Sequence, residues 1–116
     1  MSDKTYDLEE RTLKFAIACR LFLKKLPRTI SNIEDAKQLV RSSGSVGANY
    51  IEANESLSKK DFCYRIKICR KESKESSYWL KIMKATNPDF EKEILILIQE
   101  ADELKKIFSA ILGKSS

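Results

Sequence analysis

From Phe90 to Ile111 apolar residues recur at alternating spacings of four and three: Phe90, Ile94, Leu97, Ala101, Leu104, Phe108 and Ile111. Only a helix with 3.6 residues per turn gathers such positions on one face, and that face has to be buried against other helices. The same spacing runs through Leu8, Thr12, Phe15, Cys19, Phe22 and Leu26, and again through Phe62, Ile66, Cys69, Ser73, Ser76, Leu80 and Met83. Leu13, Ala16, Ile17 and Leu23 widen the first stripe into the broad face of a helix that touches two neighbours.

The remaining segment is different in kind. From Val40 to Ser58 the chain reads VRSSGSVGANYIEANESLS, with small and polar residues where the other segments are apolar. At helical spacing Ala36, Val40, Ser43, Gly47, Ile51 and Asn54 share a face, with Gly44 and Ala48 beside them. An interior glycine costs roughly 1 kcal/mol relative to alanine, so two of them predict a helix that approaches its neighbours closely at its middle. Ser73, Ser76 and Ser77 narrow the middle of the third helix in the same way, and the two narrow regions are expected to face each other.

Boundary signals divide the chain into four helices at about 7–26, 32–55, 59–85 and 88–112. Asp7 with Glu10 and Ser31 with Glu34 read as capping boxes, Ser58 with Asp61 as a third cap, and Asn87-Pro88 as a cap followed by proline at the first helical position. Pro27 and Gly113 are the stop signals. Short connections between long amphipathic helices predict an all-α, up-down-up-down four-helix bundle, a single domain over residues 1–116. A chain of 116 residues buries roughly two thirds of its unfolded surface and needs no staple.

Composition excludes several chemistries. There is no histidine, so a Ser or Cys nucleophile lacks its usual base, a di-iron bundle lacks its Glu-x-x-His ligands, and a zinc site is not expected. Cys19, Cys63 and Cys69 form no C-x-x-C pair and read as reduced thiols. Gly44 and Gly47 match no phosphate-binding loop or dinucleotide fingerprint. Glu72 and Glu75, one turn apart beside Lys71 and Lys74, read as surface ion pairs. The expectation is a non-enzymatic protein without metal or cofactor. No apolar run approaches the length of a membrane span and the opening MSDKTYDLEE is polar, so a cytoplasmic protein is expected.

The net charge is +5, but the third helix concentrates it: Lys59 to Lys84 holds nine basic and three acidic residues. Lys60, Tyr64, Lys67, Lys71, Lys74, Tyr78 and Lys81 form a ridge roughly 160 degrees around the helix from its apolar seam, flanked by Arg65 and Arg70. Lysines neutralise phosphates and tyrosines stack on unpaired bases, so the ridge is a candidate surface for RNA or another nucleic acid. A solvated helix face is the alternative reading. Arg11, Lys14, Lys24, Lys25 and Arg28 could extend the patch if the first helix lies beside the third. Asn49 could cross-link helices through its amide or present it in a groove, and Glu52 could pair with Arg41 or with a lysine of the third helix. Tyr50 and Trp79 read as packing residues with a polar tip at the rim.

Taken together, Arg41-Ser42-Ser43, Ser45-Val46-Gly47-Ala48-Asn49-Tyr50, Glu52-Ala53, Ser58-Lys59, Asp61-Phe62, Lys71-Glu72, Glu75 and Tyr78-Trp79-Leu80 resemble the bacterial four-helix bundle proteins of the 23S ribosomal RNA intervening-sequence type. The likeness spans about Leu8 to Leu112. Some members are encoded inside intervening sequences of 23S ribosomal RNA genes, and related accessory proteins of diversity-generating retroelements form pentameric barrels with basic surfaces that engage a reverse transcriptase and nucleic acid. The resemblance implies an up-down bundle, a homo-oligomer, five copies by analogy, and no established catalysis. The helix seam and this motif together single out Arg41, Ser43, Gly44, Gly47, Asn49 and Glu52 along the second helix. Ala53 departs from the glycine of many relatives. A nucleic-acid-binding bundle is therefore the preferred reading, and a protein-interaction module or accessory subunit without nucleic-acid contact the alternative.

Overall fold

The computed structural model describes residues 7–115, and these form four helices: α1 (Leu8–Leu23), α2 (Ile30–Asn54), α3 (Lys59–Thr86) and α4 (Glu91–Ser115). A 3-10 turn, Pro88–Phe90, leads into α4, and no strand occurs among the described residues. Each helix packs on the next and α1 closes on α4, which leaves α1 and α3 on opposite corners of the bundle. The α1–α4 contact is the sparsest of the four.

Three of the four seams lie where the spacing puts them. Leu8, Thr12, Phe15, Cys19, Phe22 and Leu26 are buried from α1 and its following turn. Ile66, Cys69, Ser73, Ser76, Leu80 and Met83 are buried from α3, and Ile94, Leu97, Ala101, Leu104 and Phe108 from α4. Phe62, Phe90 and Ile111, at the ends of these stripes, are half-buried and pack against the core. Leu13 and Ile17, assigned to the broad face of α1, stand largely in solvent instead.

The second helix is rotated from the expected face. Its core positions are Leu39, Ser42, Ser43, Val46 and Ala53, while Val40, Ala48, Ile51 and Asn54 are exposed. Leu39, Val46 and Ala53 are seven apart, and this sparse apolar repeat sets the phase of the helix. The glycines consequently face α1: a Cβ on Gly47 would fall against Thr12, and one on Gly44 against the Arg20 guanidinium. Toward α3 the narrow contact is a hydroxyl pair, Ser42 Oγ to Ser76 Oγ at 2.8 Å.

The caps differ in detail from the boxes read in the sequence. Asp7 Oδ1 accepts from the Glu10 amide at 3.4 Å, but the Glu10 carboxylate turns outward to Lys14 at 2.9 Å. Thr29, not Ser31, caps α2 by accepting from the Asn32 amide at 3.1 Å, and Glu34 pairs with Lys37. Ser58 caps α3 as expected, through the Asp61 amide at 3.0 Å. Asn87 makes no side-chain cap to the turn after it. Its amide forms a reciprocal pair with Asn32, two bonds of 2.9 Å, and also reaches the Met83 carbonyl, while Asn32 reaches Pro27 O. Two buried amides thus satisfy each other and tie both loops at one end of the bundle. α1 stops at Leu23, earlier than 26: the chain tightens into a turn before Pro27, with the Lys25 and Leu26 amides bonded three residues back, and Leu26 stays buried. α4 runs through Gly113 without a left-handed residue.

Candidate nucleic-acid interface

The heptad burial of α3 fixes which side of that helix reaches solvent, and the ridge is on it. Lys60, Lys67, Lys71, Lys74 and Lys81 are all exposed, and none has a carboxylate within ion-pair distance among the described residues. Tyr64 and Tyr78 are 61% and 58% exposed. The cations of α1 belong elsewhere. Arg11 is held by Glu100 in a two-bond fork, 2.7 and 2.9 Å, Lys14 by Glu10 and Lys25 by Glu93. These, Lys24 and Arg28 are carried at the opposite corner of the bundle, so they do not extend the patch.

Arg65 and Arg70 lie on opposite flanks of the ridge. Arg65 is half-buried toward α2, where it donates to Asn49 Oδ1 at 3.0 Å. Arg70 is half-buried, on the flank of α3 that also carries Lys84. The Lys84–Glu91 ion pair, 3.9 Å, sets the level of α3 against α4. Fourteen residues back from Lys84 is Arg70 and fourteen on from Glu91 is Lys105, so Lys105 lies level with Arg70, with Lys106 exposed beside it. The sequence reading missed both, because α4 is acidic overall and only antiparallel packing brings these two of its four lysines level with the middle of α3.

A polar network backs the ridge on its α2 side. Arg41 reaches both oxygens of Glu72 at 3.3 Å and also bonds Glu75 Oε2. Trp79 Nε1 donates to the same Glu75 oxygen at 3.1 Å. Glu72 is only 5% exposed, so Arg41 is its counter-charge within the fold rather than Lys71 or Lys74. Burial pulls the Glu75 carboxyl up, but the Trp79 indole and the Arg41 guanidinium outweigh it and hold it below its ordinary value. Asn49 Nδ2 donates to Ser45 O and Oγ, both at 2.9 Å, while its oxygen accepts from Arg65. Asn49 is thus a cross-link between α2 and α3. Glu52 is exposed and pairs with neither Arg41 nor a lysine of α3.

The small motif residues serve the other side of α2. Ser43 is buried and accepts from Arg20 Nη1 at 3.4 Å, and Arg20 Nη2 donates to Val40 O at 3.1 Å over the notch left by Gly44. Gly47 takes the Thr12 side chain against its backbone. Tyr50 packs on Phe108 with ring centroids 6.0 Å apart.

Residues 4–110 match the model of a family described as 23S rRNA-intervening sequence protein. The chain belongs to that family. Its fold is that of a family relative in crystal form: a protein of unknown function from the S23 ribosomal protein family of Bacteroides thetaiotaomicron VPI-5482, solved at 1.70 Å. The two are 26% identical with a TM-score of 0.79, over 90% of this chain and 96% of the other. No curated protein matches. Within this family member, several residues that carried the resemblance sit at helix contacts: Arg41, Glu72, Glu75 and Trp79 form one network between α2 and α3, Asn49 bonds Arg65 across the same pair, and Ser43 and Gly47 line the α1 side. Ala53 is buried in the core, and α2 ends one residue after it. Among the described residues no helix is long and apolar enough to cross a membrane, and no cluster of metal-ligating side chains occurs.

Proposed function

We propose that this chain is a non-enzymatic, self-associating bundle that binds RNA or a related nucleic acid along the outer ridge of α3. One observation carries the reading: five lysines stand in a row with no carboxylate partner among the described residues, on the corner diagonal to α1. A solvated helix face usually interleaves both signs, whereas in this row Lys71 feels a nearby acid, Glu75, but no lysine closes an ion pair among the described residues, so the row offers phosphates a line of charge. The family description, which names 23S rRNA, points the same way.

Self-association rests on α1. Leu13, Ile17 and Leu21, four residues apart, are 58%, 45% and 55% exposed, and Ile96 of α4 and Val40 and Ile51 of α2 extend the apolar surface on either side. Large apolar surface of this kind marks an interaction site. Copies joined through α1 leave every α3 ridge facing outward, and five is the number implied by the related barrels.

The test is fluorescence anisotropy with labelled RNA across a salt series. Each lysine that touches phosphate contributes roughly 0.7 to 0.9 to the logarithmic salt slope. Replacing Lys67, Lys71 and Lys74 together by glutamine is expected to weaken binding and flatten the slope by about 2 to 3 units per protomer. A folded triple variant that binds like the parent rejects the ridge. A parent that binds no RNA at low salt rejects the nucleic-acid reading and favours an acidic protein partner.

A further inference from the structure

The two tyrosines of the ridge are built alike. Tyr64 and Tyr78 are fourteen residues apart on α3, about 21 Å along its axis and within about 40 degrees of the same direction. Each ring is steadied by the residue that follows it. The Tyr78 ring meets Trp79 edge to face, with centroids 5.2 Å apart and planes at 73 degrees, and the Arg65 guanidinium lies 6.0 Å from the Tyr64 centroid.

Each of those neighbours is in turn anchored to α2. Trp79 donates to Glu75, which Arg41 holds, and Arg65 donates to Asn49, which Ser45 holds. Two three-step chains therefore brace two solvent-facing rings, while neither phenol oxygen makes a hydrogen bond within the described residues. Lys67, Lys71 and Lys74 lie between the rings, and Lys60 and Lys81 lie just beyond them.

We propose that α3 is a track for a single-stranded polynucleotide, with one base stacked on Tyr64, a second on Tyr78, and the phosphates between them on Lys67, Lys71 and Lys74. This rests on the nucleic-acid reading above and narrows it. In a duplex both faces of a base are occupied by its neighbours, so only an unpaired base can use an exposed ring. A ring already held in place loses little freedom when a base stacks on it, which is the advantage of the bracing. A strand with a stacked rise of about 3.4 Å covers 21 Å in roughly six nucleotides, and an extended one in fewer. Each protomer then occupies about four to six nucleotides. Rings and lysines read no base edge, so the track tolerates sequence.

Trp79 is the single tryptophan of the chain and touches Tyr78, so its emission reports on that station. The experiment titrates the full chain with oligouridines of two to twelve nucleotides and with an RNA duplex, following Trp79 emission and anisotropy. Oligouridine is expected to quench Trp79, with affinity rising steeply to about five nucleotides and slowly beyond. Tyr64→Leu and Tyr78→Leu are each expected to weaken single-strand binding about tenfold or more, Tyr78→Leu to abolish quenching, and both to leave duplex binding within about twofold. Tyr64→Phe and Tyr78→Phe keep the ring face and should bind like the parent. Leucine variants that bind single strands unchanged, with circular dichroism confirming their fold, would overturn the stacking track and leave the lysine contacts standing. Loss of all RNA binding by the parent would overturn the nucleic-acid reading itself.

Discussion

Gly47 and Thr12 are packed as closely as a helix pair allows: a Cβ on Gly47 would stand 2.8 Å from Thr12 Oγ1 and 3.1 Å from Thr12 Cβ. The threonine cannot swing away, because its hydroxyl donates to Leu8 O at 2.6 Å and its side chain is short and buried. Gly47→Ala is therefore expected to destabilise by about 1 kcal/mol despite the better helix propensity of alanine, and Gly47→Leu by about 1 to 3 kcal/mol or more. Gly44 gives the contrast. Its added Cβ meets the Arg20 guanidinium, Nη2 at 3.0 Å and Cζ at 3.9 Å, the far end of a flexible side chain. Gly44→Ala should be neutral or stabilising by up to about 1 kcal/mol. Thermal unfolding of the two alanine variants checks the pair, and equal midpoints would refute the asymmetry.

Ser77 is 3% exposed and its hydroxyl has no hydrogen-bond partner among the described residues. A buried unsatisfied hydroxyl costs about 1 to 3 kcal/mol, and alanine is the better helix former. Ser77→Ala is expected to raise stability by about 1 kcal/mol. Ser76→Ala, one residue away, breaks the bond to Ser42 and should lower it by a similar amount. Urea denaturation of both variants reads opposite shifts of the midpoint.

Burial pushes the Cys19 and Cys69 thiols up from an ordinary 9.0 to about 12. A thiol raised in this way supports the fold fully below its unfolded value near 9, and that support is lost as pH rises toward 12. Over that window the unfolded chain releases the protons first, so stability should fall by up to about 1.4 kcal/mol per pH unit for each thiol. Urea denaturation from pH 8 to 11 measures the slope. In a Cys19→Ala, Cys69→Ala variant the slope should flatten by close to two protons, and identical slopes would exclude the thiols as its source.

The exposed stripe of α1 makes a prediction about mass. The parent should elute as a single species at a multiple of 13.4 kDa in size exclusion coupled to light scattering at micromolar concentration. Ile17→Glu places a charge at the centre of the stripe, outside the core, and should yield a folded monomer. A parent already at 13.4 kDa would reject assembly.

The sequence by itself determined the four helices, three of their buried seams and the exposure of the α3 ridge. In each case the information is local: a run of Leu, Ile, Phe and Cys at spacings of four and three states both the helix and its inward face, and so also its outward one. It placed the loops, but not their details: Thr29 rather than Ser31 took the cap of α2, α1 ended at Leu23, Asn87 did not cap the turn after it, and α4 ran through Gly113. What α2 does was decided by the tertiary structure. Its middle is small and polar, so two faces were almost equally plausible, and only the burial of Leu39, Val46 and Ala53 between α2 and its neighbours α1 and α3 chose between them. That choice turned Gly44 and Gly47 toward α1 and brought Arg41 to Glu72, thirty-one positions away in the chain. It also drew Arg65 to Asn49, so that an arginine read as part of the outer ridge braces Tyr64 instead. Partners so far apart leave no periodic trace in the sequence, because hydrogen bonds and ion pairs depend on which helices become neighbours and at what level. The same is true of Lys105, carried level with Arg70 by antiparallel packing, and of Leu13 and Ile17, which the sequence assigns to the broad apolar face of α1 but which the four-helix core leaves exposed.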